Sequence, residues 1–376
     1  MRKILVVGAV CVILFFLVMV WKHDCVNRGK SKETAVSNNQ IGERVEFDTI
    51  EEKNISQWAF FNSGGTYFSS QFSNEWEADQ RVAREGIDIH YSKQELKVKR
   101  KVTVAIIDTG IDIVQINDMN LWKNHKEIPD DGIDNDGNGY IDDYFGWNFC
   151  DNNPKITSRQ FNDNVHGTFV AGVLAAKSKN YKAILIDSKF KIMCIKALEG
   201  TEGTGNIFNV IKAIEYAEKS GAQICNLSLC VYAYSEKLKK VMEKSSMLFI
   251  VSAGNDSAEI NHDTNIYPAS FGLKNVISVG NVRFDGNISK TSNYGECVDI
   301  VAPGTDIIST ISDNKFGCIS GTSCATPYVT GLAAIISGYS MKPQKNLCIK
   351  EIICQNAAHH KQLSGYVSKG RMIDYD

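Results

Sequence analysis

The segment Gly321–Gly331 reads GTSCATPYVTG and places a serine between a flexible glycine and the start of a helical pattern. Gly321 permits a tight backbone turn. The apolar residues that follow recur at helical spacing, at Ala325, Val329, Leu332, Ala333 and Ile336. This pattern predicts Ser323 at a helix N-terminus, where unpaired backbone N–H groups can face a developing oxyanion. The same position also suits an ordinary helix-capping serine, so the other motifs of the chain decide between the two interpretations.

The composition is that of a globular chain without nucleic-acid-binding character. Its 376 residues are 43% hydrophobic, which is enough to bury a large core. A net charge of −2 provides no basic field, so we expect no nucleic-acid partner. The eleven cysteines cannot all pair, and most stand in apolar runs, where buried thiols behave as small hydrophobes. The sequence leaves the oligomeric state open.

Residues 1–21 contain an uninterrupted apolar run, Ile4–Trp21, that is long enough to cross a bilayer. No small-residue cleavage site follows it, which favours a membrane anchor over a cleaved signal peptide. Residues 22–54 are polar and lack periodicity, which predicts a tether, and residues 55–376 form the predicted folded domain. We therefore expect a single N-terminal membrane helix with the domain outside the cytoplasm, and a secreted protein as the alternative.

Continuous β-branched runs alternate with amphipathic helical stretches from residue 102 onward. The first run, Val102–Ile107, is typical of a strand buried on both faces. Comparable runs follow at Lys191–Ile195, Ile224–Leu229, Leu248–Ala253, Val276–Val279 and Val298–Val301. Between them, Asn206–Ser220 carries its apolar residues on one helical face. This alternation predicts an α/β fold, a doubly wound and mostly parallel sheet flanked by helices, with functional groups at the carboxyl ends of the strands.

Four residues in these contexts have the chemistry of nucleophilic catalysis. Asp108 ends the first buried run, His166 stands just before Gly167 at a predicted helix start, and Ser323 opens another helix. A carboxylate can orient an imidazole, which then takes the proton of an attacking serine. Asn255 follows a strand and can offer its amide N–H to an oxyanion. Each residue alone also fits a turn or a cap, but all four together favour catalysis.

Five separate segments resemble the subtilisin-like serine proteases, in the same order along the chain. They are Val104–Asp112, Asn164–Ala176, Asn226–Leu229, Val251–Asp256 and Gly321–Gly331. The resemblance implies a serine endopeptidase in which Asp108 orients His166, His166 is the general base, Ser323 is the nucleophile and Asn255 completes the oxyanion hole. The order of the three triad residues is a known feature of that family.

The same resemblance implies where a protein or peptide substrate would bind. An extended peptide would lie between one edge at Gly203, Thr204 and Gly205 and a second edge at Ser228, Leu229 and Cys230. Ser252, Ala253 and Gly254 would form a wall of the pocket for the side chain before the cut.

The chain departs from the family at two cysteines near this site. The family usually has glycine where Cys230 stands, which puts pocket size and specificity in question, and methionine where Cys324 stands. Because Cys324 adjoins Ser323, we expect its oxidation to inactivate the enzyme. Two other functions stay open: a processing protease of narrow specificity that removes leader peptides, and an inactive homologue that only binds peptides.

An acidic insertion, Asp130–Asp143, contains six aspartates and three glycines. Within it Asp134, Asp136, Asn138 and Asp142 have the 1, 3, 5, 9 spacing of a calcium loop. Position 12 is Phe145 instead of a bidentate glutamate, so the segment is not predicted to be an EF-hand. We expect either a structural calcium site of another kind or a solvated acidic loop, and no other cofactor.

Overall fold

The computed structural model describes residues 98–373, with gaps at 158–162, 179–182, 186, 201–202, 262, 264–265 and 340–345, and three short strands at 35–37, 65–67 and 81–83. The run Ile4–Trp21, predicted as a membrane anchor, lies outside the described residues, as does most of the predicted tether. In the described part of the chain, no helix combines the length and apolar character needed to span a bilayer.

The strands and helices have the following bounds. The strands are β1 (Ala35–Ser37), β2 (Gly65–Tyr67), β3 (Arg81–Ala83), β4 (Val102–Asp108), β5 (Gly146–Asn148), β6 (Phe190–Lys196), β7 (Leu198–Glu199), β8 (Thr204–Asn206), β9 (Ile224–Leu227), β10 (Cys230–Val231), β11 (Leu248–Ser252), β12 (Val276–Val282), β13 (Ile300–Pro303), β14 (Ile307–Ile311), β15 (Lys315–Ile319), β16 (Ala358–His359) and β17 (Arg371–Met372). The α-helices are α1 (Val165–Ala175), α2 (Ile207–Lys219), α3 (Glu236–Lys244), α4 (Thr322–Tyr339) and α5 (Asn346–Asn356).

A mostly parallel sheet forms the centre of the molecule, as the alternation of strands and helices predicts. Among the described residues it has nine strands in the order β16-β17-β13-β12-β11-β9-β4-β6-β5. All of its pairings are parallel except that of β16 with β17. The α/β prediction is therefore confirmed.

Most of the predicted strands and helices form at or near the predicted positions, but β13 begins two residues after the start of the predicted run Val298–Val301. All seven residues of β4 are buried, because the run Val102–Ile107 is apolar on both faces. Helix α2 begins after Asn206, whose side chain accepts a hydrogen bond from the Phe208 N–H. Helix α4 is buried on nearly all sides, so it needs no polar face.

The carboxyl ends of three neighbouring strands converge at one edge of the sheet. Strands β11, β9 and β4 lie side by side, and they end at Ser252, Leu227 and Asp108. The segments that continue from β11 and β9 carry Ala253–Asn255 and Ser228–Cys230. This arrangement brings most of the predicted site residues to one face of the molecule.

Candidate active site

Asp108 and His166 are in direct contact at the carboxyl end of β4. The Nδ1 atom of His166 lies 2.9 Å from Oδ1 of Asp108, and Asp108 is fully buried. An ionised carboxylate only accepts hydrogen bonds, so Nδ1 carries the proton and donates it. Nε2 is then the nitrogen able to take a proton from a nucleophile.

Backbone contacts hold the first turn of α1 against the loop after β4. The Gly167 N–H donates to Oγ1 of Thr109 at 3.1 Å. A Cβ atom at Gly167 would lie 2.2 Å from the Gly110 carbonyl oxygen, so only glycine permits this close approach. The imidazole of the adjacent His166 is thereby fixed relative to the carboxylate.

Lys196 is a buried residue beside this pair that the sequence motifs do not reveal. Its side chain is 3% exposed, and Nζ donates to the carbonyl oxygens of Thr109 and Leu198 at 2.7 and 2.8 Å. Nζ also pairs with Oδ2 of Asp163 at 3.1 Å, which ties the segment before His166 to the loop after Asp108. A lysine at the end of the apolar strand β6 indicates a buried charge, and a buried charge needs bonded partners.

Ser323 and Asn255 lie around the same glycine at the start of α4. A Cβ atom on Gly321 would lie 3.1 Å from Nδ2 of Asn255 and 3.3 Å from Oγ of Ser323. Oδ1 of Asn255 accepts the Thr322 N–H at 2.9 Å, which turns Nδ2 toward Gly321 and Ser323. The amide is therefore oriented as a donor beside the serine hydroxyl, as an oxyanion site requires.

The two predicted substrate edges form a small sheet with a segment of this chain between them. The strand order is β10-β1-β8-β7, and β1 is antiparallel to both of its neighbours. Val36 pairs with Val231 and Gly205, and Ser37 pairs with Cys230 and Thr204. The cleft therefore accommodates an extended peptide backbone, and part of the predicted tether occupies it.

The predicted pocket wall begins at Ser252, the last residue of β11. Ser252 Oγ donates to the Leu229 carbonyl oxygen at 3.3 Å, and the Gly254 N–H donates to Oγ1 of Thr322 at 3.2 Å. These bonds bring the wall Ser252–Gly254 against both the second substrate edge and the start of α4. Gly203 precedes β8 and continues the first edge.

Cys324 does not have the environment of an oxidation-sensitive thiol. The residue is 1% exposed, and burial raises the pKa of its thiol to about 12. Oxidants attack the thiolate, which is scarce at neutral pH when the pKa is this high. Burial of the thiol therefore argues against the expectation that oxidation of Cys324 inactivates the enzyme.

The acidic insertion forms a carboxylate cluster whose membership differs from the predicted one. Glu127, Asp134 and Asp136 each place a carboxylate oxygen within 4.8 Å of the others. Glu127 is only 4% exposed, and it accepts the N–H groups of Asp136 and Asp142 at 3.0 and 3.1 Å. The sequence spacing could not identify Glu127, because it precedes the loop by several residues.

Two of the predicted calcium ligands make other contacts. Asn138 donates through Nδ2 to Asp143 and accepts the Tyr140 N–H at Oδ1. The carboxylate of Asp142 accepts the N–H groups of Asp131 and Gly132, each at 3.1 Å. The structure therefore brings Asp134 and Asp136 together with Glu127, and turns Asp142 toward the neighbouring backbone.

Comparison with known proteins places these motifs in one family. The sequence profile of the subtilase family matches residues 99–369. The chain is 32% identical to the thermophilic serine proteinase of Bacillus sp. (strain AK1), over 73% of this chain and 60% of that protein. It is 30% identical to the major intracellular serine protease of Bacillus subtilis (strain 168), over 68% of this chain and 75% of that protein.

A more distant relative and a solved structure extend the comparison. The chain is 28% identical to subtilisin-like protease 1 of Plasmodium falciparum (isolate 3D7), over 77% of this chain and 44% of that protein. The chain thus spans less than two thirds of two of these three relatives. The crystal structure of a cold-adapted subtilisin-like serine proteinase superposes with a TM-score of 0.58 at 24% identity, over 74% of this chain and 90% of that one. This likeness shows a shared fold.

Proposed function

Because the chain belongs to the subtilase family, we propose that it is a serine endopeptidase that hydrolyses peptide bonds through an acyl-enzyme intermediate. The observation that carries the proposal is the 2.9 Å contact of His166 Nδ1 with Asp108 Oδ1, at the edge of the sheet where α4 also begins. The oriented amide of Asn255 beside Ser323 supports the same chemistry.

In this mechanism each residue has one role. Ser323 Oγ attacks the scissile carbonyl carbon, and Nε2 of His166 takes the hydroxyl proton. Asp108 keeps the imidazole in the required tautomer and stabilises the imidazolium that forms. The Asn255 amide and the Ser323 N–H donate to the oxyanion of the tetrahedral intermediate. His166 then protonates the leaving amine, and water hydrolyses the acyl-enzyme by the reverse sequence of proton transfers.

The substrate backbone binds by strand addition between the two edges of the cleft. The antiparallel pairing of β1 with β8 and β10 supports this mode, because it places an extended backbone between those edges. Main-chain hydrogen bonds provide affinity for peptides in general, and the pocket bounded by Ser252–Gly254 selects side chains.

Replacing the nucleophile tests the proposal. Ser323→Ala should lower turnover on peptides by about 10⁶-fold, the size of loss known for the same change in subtilisin. The wild-type protein should also react with a fluorophosphonate probe, and Ser323→Ala should not. Near-normal turnover in the variant would exclude Ser323 as the nucleophile. Peptide binding without probe labelling or hydrolysis by the wild type would instead identify an inactive peptide-binding homologue.

A structural calcium ion in the acidic insertion is the second part of the proposal. Carboxylate oxygens are the ligands that Ca²⁺ prefers, and Glu127, Asp134 and Asp136 offer three of them in one place. Asn138 and Asp142, which the sequence pattern also indicates, are the residues that would have to reorient to join them. The ion would order the segment between Asp108 and His166, so its removal by a chelator should lower the melting temperature.

The location is a separate proposal, carried by the sequence alone. The run Ile4–Trp21 favours a membrane tether with the catalytic domain outside the cytoplasm. Full-length protein should then remain in the membrane fraction after alkaline carbonate washing, and protease added to intact cells should reach the domain. Recovery of full-length protein in the soluble cytoplasmic fraction would overturn this proposal without affecting the catalytic one.

A further inference from the structure

Cys230 lies where the two sides of the proposed side-chain pocket approach each other. Its Sγ atom is 3.8 Å from the carbonyl oxygen of Ser252, the first residue of the pocket wall. At this separation the two atoms are in contact, so the sulfur fills the space between β10 and the end of β11. A glycine at this position would leave that space to the substrate.

Neither side of the pocket can move away to restore the space. Ser252 Oγ is bonded to the Leu229 carbonyl oxygen, which fastens the wall to the segment that carries Cys230. On the outer side, Val231 and Tyr267 exchange two backbone hydrogen bonds of 2.7 and 2.9 Å. Strand β10 is therefore held in place on both sides.

The far end of the wall is equally fixed. Gly254 has φ +110°, and a Cβ atom there would lie 2.0 Å from Nδ2 of Asn293. That amide donates to the Ala253 carbonyl oxygen at 3.0 Å, and its Oδ1 accepts the N–H groups of Asp256 and Ala258 at 2.9 Å each. These bonds hold the end of the wall, Ala253 and Gly254, in one conformation.

We propose that Cys230 restricts the residue immediately before the scissile bond to small side chains, namely glycine, alanine and serine. The proposal rests on the proposed function and deepens it, because it names the substrate class of the same site. In a rigid pocket a single methylene changes kcat/KM by about 10–200-fold, so one added sulfur is enough to reject aromatic and long aliphatic residues.

A series of variants at position 230 tests the effect of side-chain volume. Peptides that differ only in having alanine or phenylalanine before the cut are compared by kcat/KM. Wild type should prefer alanine by about 10-fold or more. Cys230→Gly should raise the ratio of kcat/KM for the phenylalanine peptide to kcat/KM for the alanine peptide by about 10-fold or more. Cys230→Ser, the matched control of similar shape, should keep the wild-type preference, which separates volume from thiol chemistry.

Two outcomes overturn the inference and are distinguishable from failure of the proposed function. The inference is contradicted if the wild type has equal kcat/KM for the phenylalanine and alanine peptides. It is also contradicted if Cys230→Gly keeps the wild-type ratio of these two values. Titration with a fluorophosphonate counts the active molecules, so partial misfolding does not distort kcat. If Cys230→Gly fails to fold, the inference is tested by the wild-type ratio of kcat/KM for the two peptides and by the same ratio in Cys230→Ala. Absence of both labelling and cleavage on every peptide would contradict the proposed function itself.

Discussion

Ser228 Oγ donates a hydrogen bond of 3.0 Å to the carbonyl oxygen of Ser323 in the interior of the protein. Pro327 explains this bond, because it lacks the N–H that would otherwise bond to Ser323 within α4. Ser228 in turn accepts from the Asn226 amide at 3.0 Å, and Thr330 Oγ1 donates to Oδ1 of Asn226 at 2.7 Å. One buried chain of hydrogen bonds thus joins the proposed substrate edge to the proposed nucleophile.

Removing the Ser228 hydroxyl should destabilise the protein. Ser228→Ala leaves the Asn226 amide and the Ser323 carbonyl without this partner, and each buried group costs about 1–3 kcal/mol when unpaired. Urea unfolding, measured in the Ser323→Ala background to prevent self-digestion, should show a lower free energy of unfolding. Ser364→Ala, at an exposed serine, is the control and should change it by less than about 0.5 kcal/mol. Equal changes in the free energy of unfolding for the two variants would show that the hydrogen-bond network does not stabilise the protein.

Replacing Asn255 should affect chemistry more than binding. In the proposed mechanism the amide donates to an oxyanion that exists only after attack, so Asn255→Ala should lower kcat by about 10²–10³-fold with little change in KM. Asn255→Asp keeps the shape but replaces the donor with an acceptor, and should be at least as slow. Steady-state kinetics on one peptide measures both constants. A change confined to KM would assign Asn255 to ground-state binding.

Weakening β1 should make the cleft more accessible. Val36 pairs with both neighbouring strands, and Val36→Pro removes a backbone donor from this ladder. Because a tethered segment competes at an effective concentration that can reach millimolar, its release should lower KM for peptides several-fold at unchanged kcat. Val36→Thr keeps the N–H and the strand propensity and should behave as wild type. An identical KM for all three proteins would mean that β1 does not compete with substrate.

Burial of Cys324 should protect its thiol and make the fold sensitive to alkali. The unfolded chain loses the thiol proton near the ordinary cysteine pKa of 9.0, whereas the folded chain holds it to a pKa of about 12. The contribution to stability is therefore complete below pH 9 and is lost as pH rises from 9 toward 12. Unfolding free energies between about pH 8 and pH 11 should fall less steeply in Cys324→Ala than in its parent.

Alkylation gives an independent measure of the same burial. At pH 9.0, where an ordinary thiol is half ionised, iodoacetamide should modify Cys324 only after unfolding. The partly exposed Cys348 should react in the native protein. Peptide mass mapping of the Ser323→Ala protein locates the modified residues. Rapid labelling of Cys324 in the native state would contradict both predictions and revive its role as an oxidation-sensitive group.

Calcium should stabilise the acidic insertion. At a free Ca²⁺ concentration 100 times Kd, binding to the native state alone adds about 2.7 kcal/mol. Chelator should therefore lower Tm and hasten autolysis, and calcium should restore both. Asp134→Ala with Asp136→Ala should abolish the response. If chelator does not change the Tm of the wild-type protein, the insertion is a solvated acidic loop without bound calcium.

Two single variants then distinguish between two sets of calcium ligands, the carboxylate cluster in the structure and the set predicted from the sequence spacing. Glu127→Gln changes a member of the observed cluster, whereas Asp142→Asn changes a carboxylate that lies outside it. If the cluster is the site, the calcium dependence of Tm should be lost in the first variant and kept in the second. The reverse result would favour the ligand set predicted from the spacing.

Local sequence determined the strands, most of the helices and the catalytic contexts. A strand such as Val102–Asp108 is predictable because burial on both faces requires a continuous apolar run, whatever its neighbours are. Asp108, His166, Asn255 and Ser323 are recognisable for a related reason, since each sits at a turn or a helix start whose chemistry is encoded within a few residues. Asp108 and Asn255 come to the same edge of the sheet because the parallel strands β4 and β11 end there.

Only the tertiary structure decided which distant residues share a contact. Ala35–Ser37 lies between two edges from positions 204–206 and 230–231, and three residues carry no pattern that could specify such long-range pairing. The carboxylate cluster contains Glu127 and not Asp142, because the local backbone conformation sets the direction of each side chain. Asp142, for example, adopts φ +59°. The contact of Cys230 with Ser252 likewise depends on how the two segments pack, to within an ångström. The spacing of residues along the chain does not determine such packing.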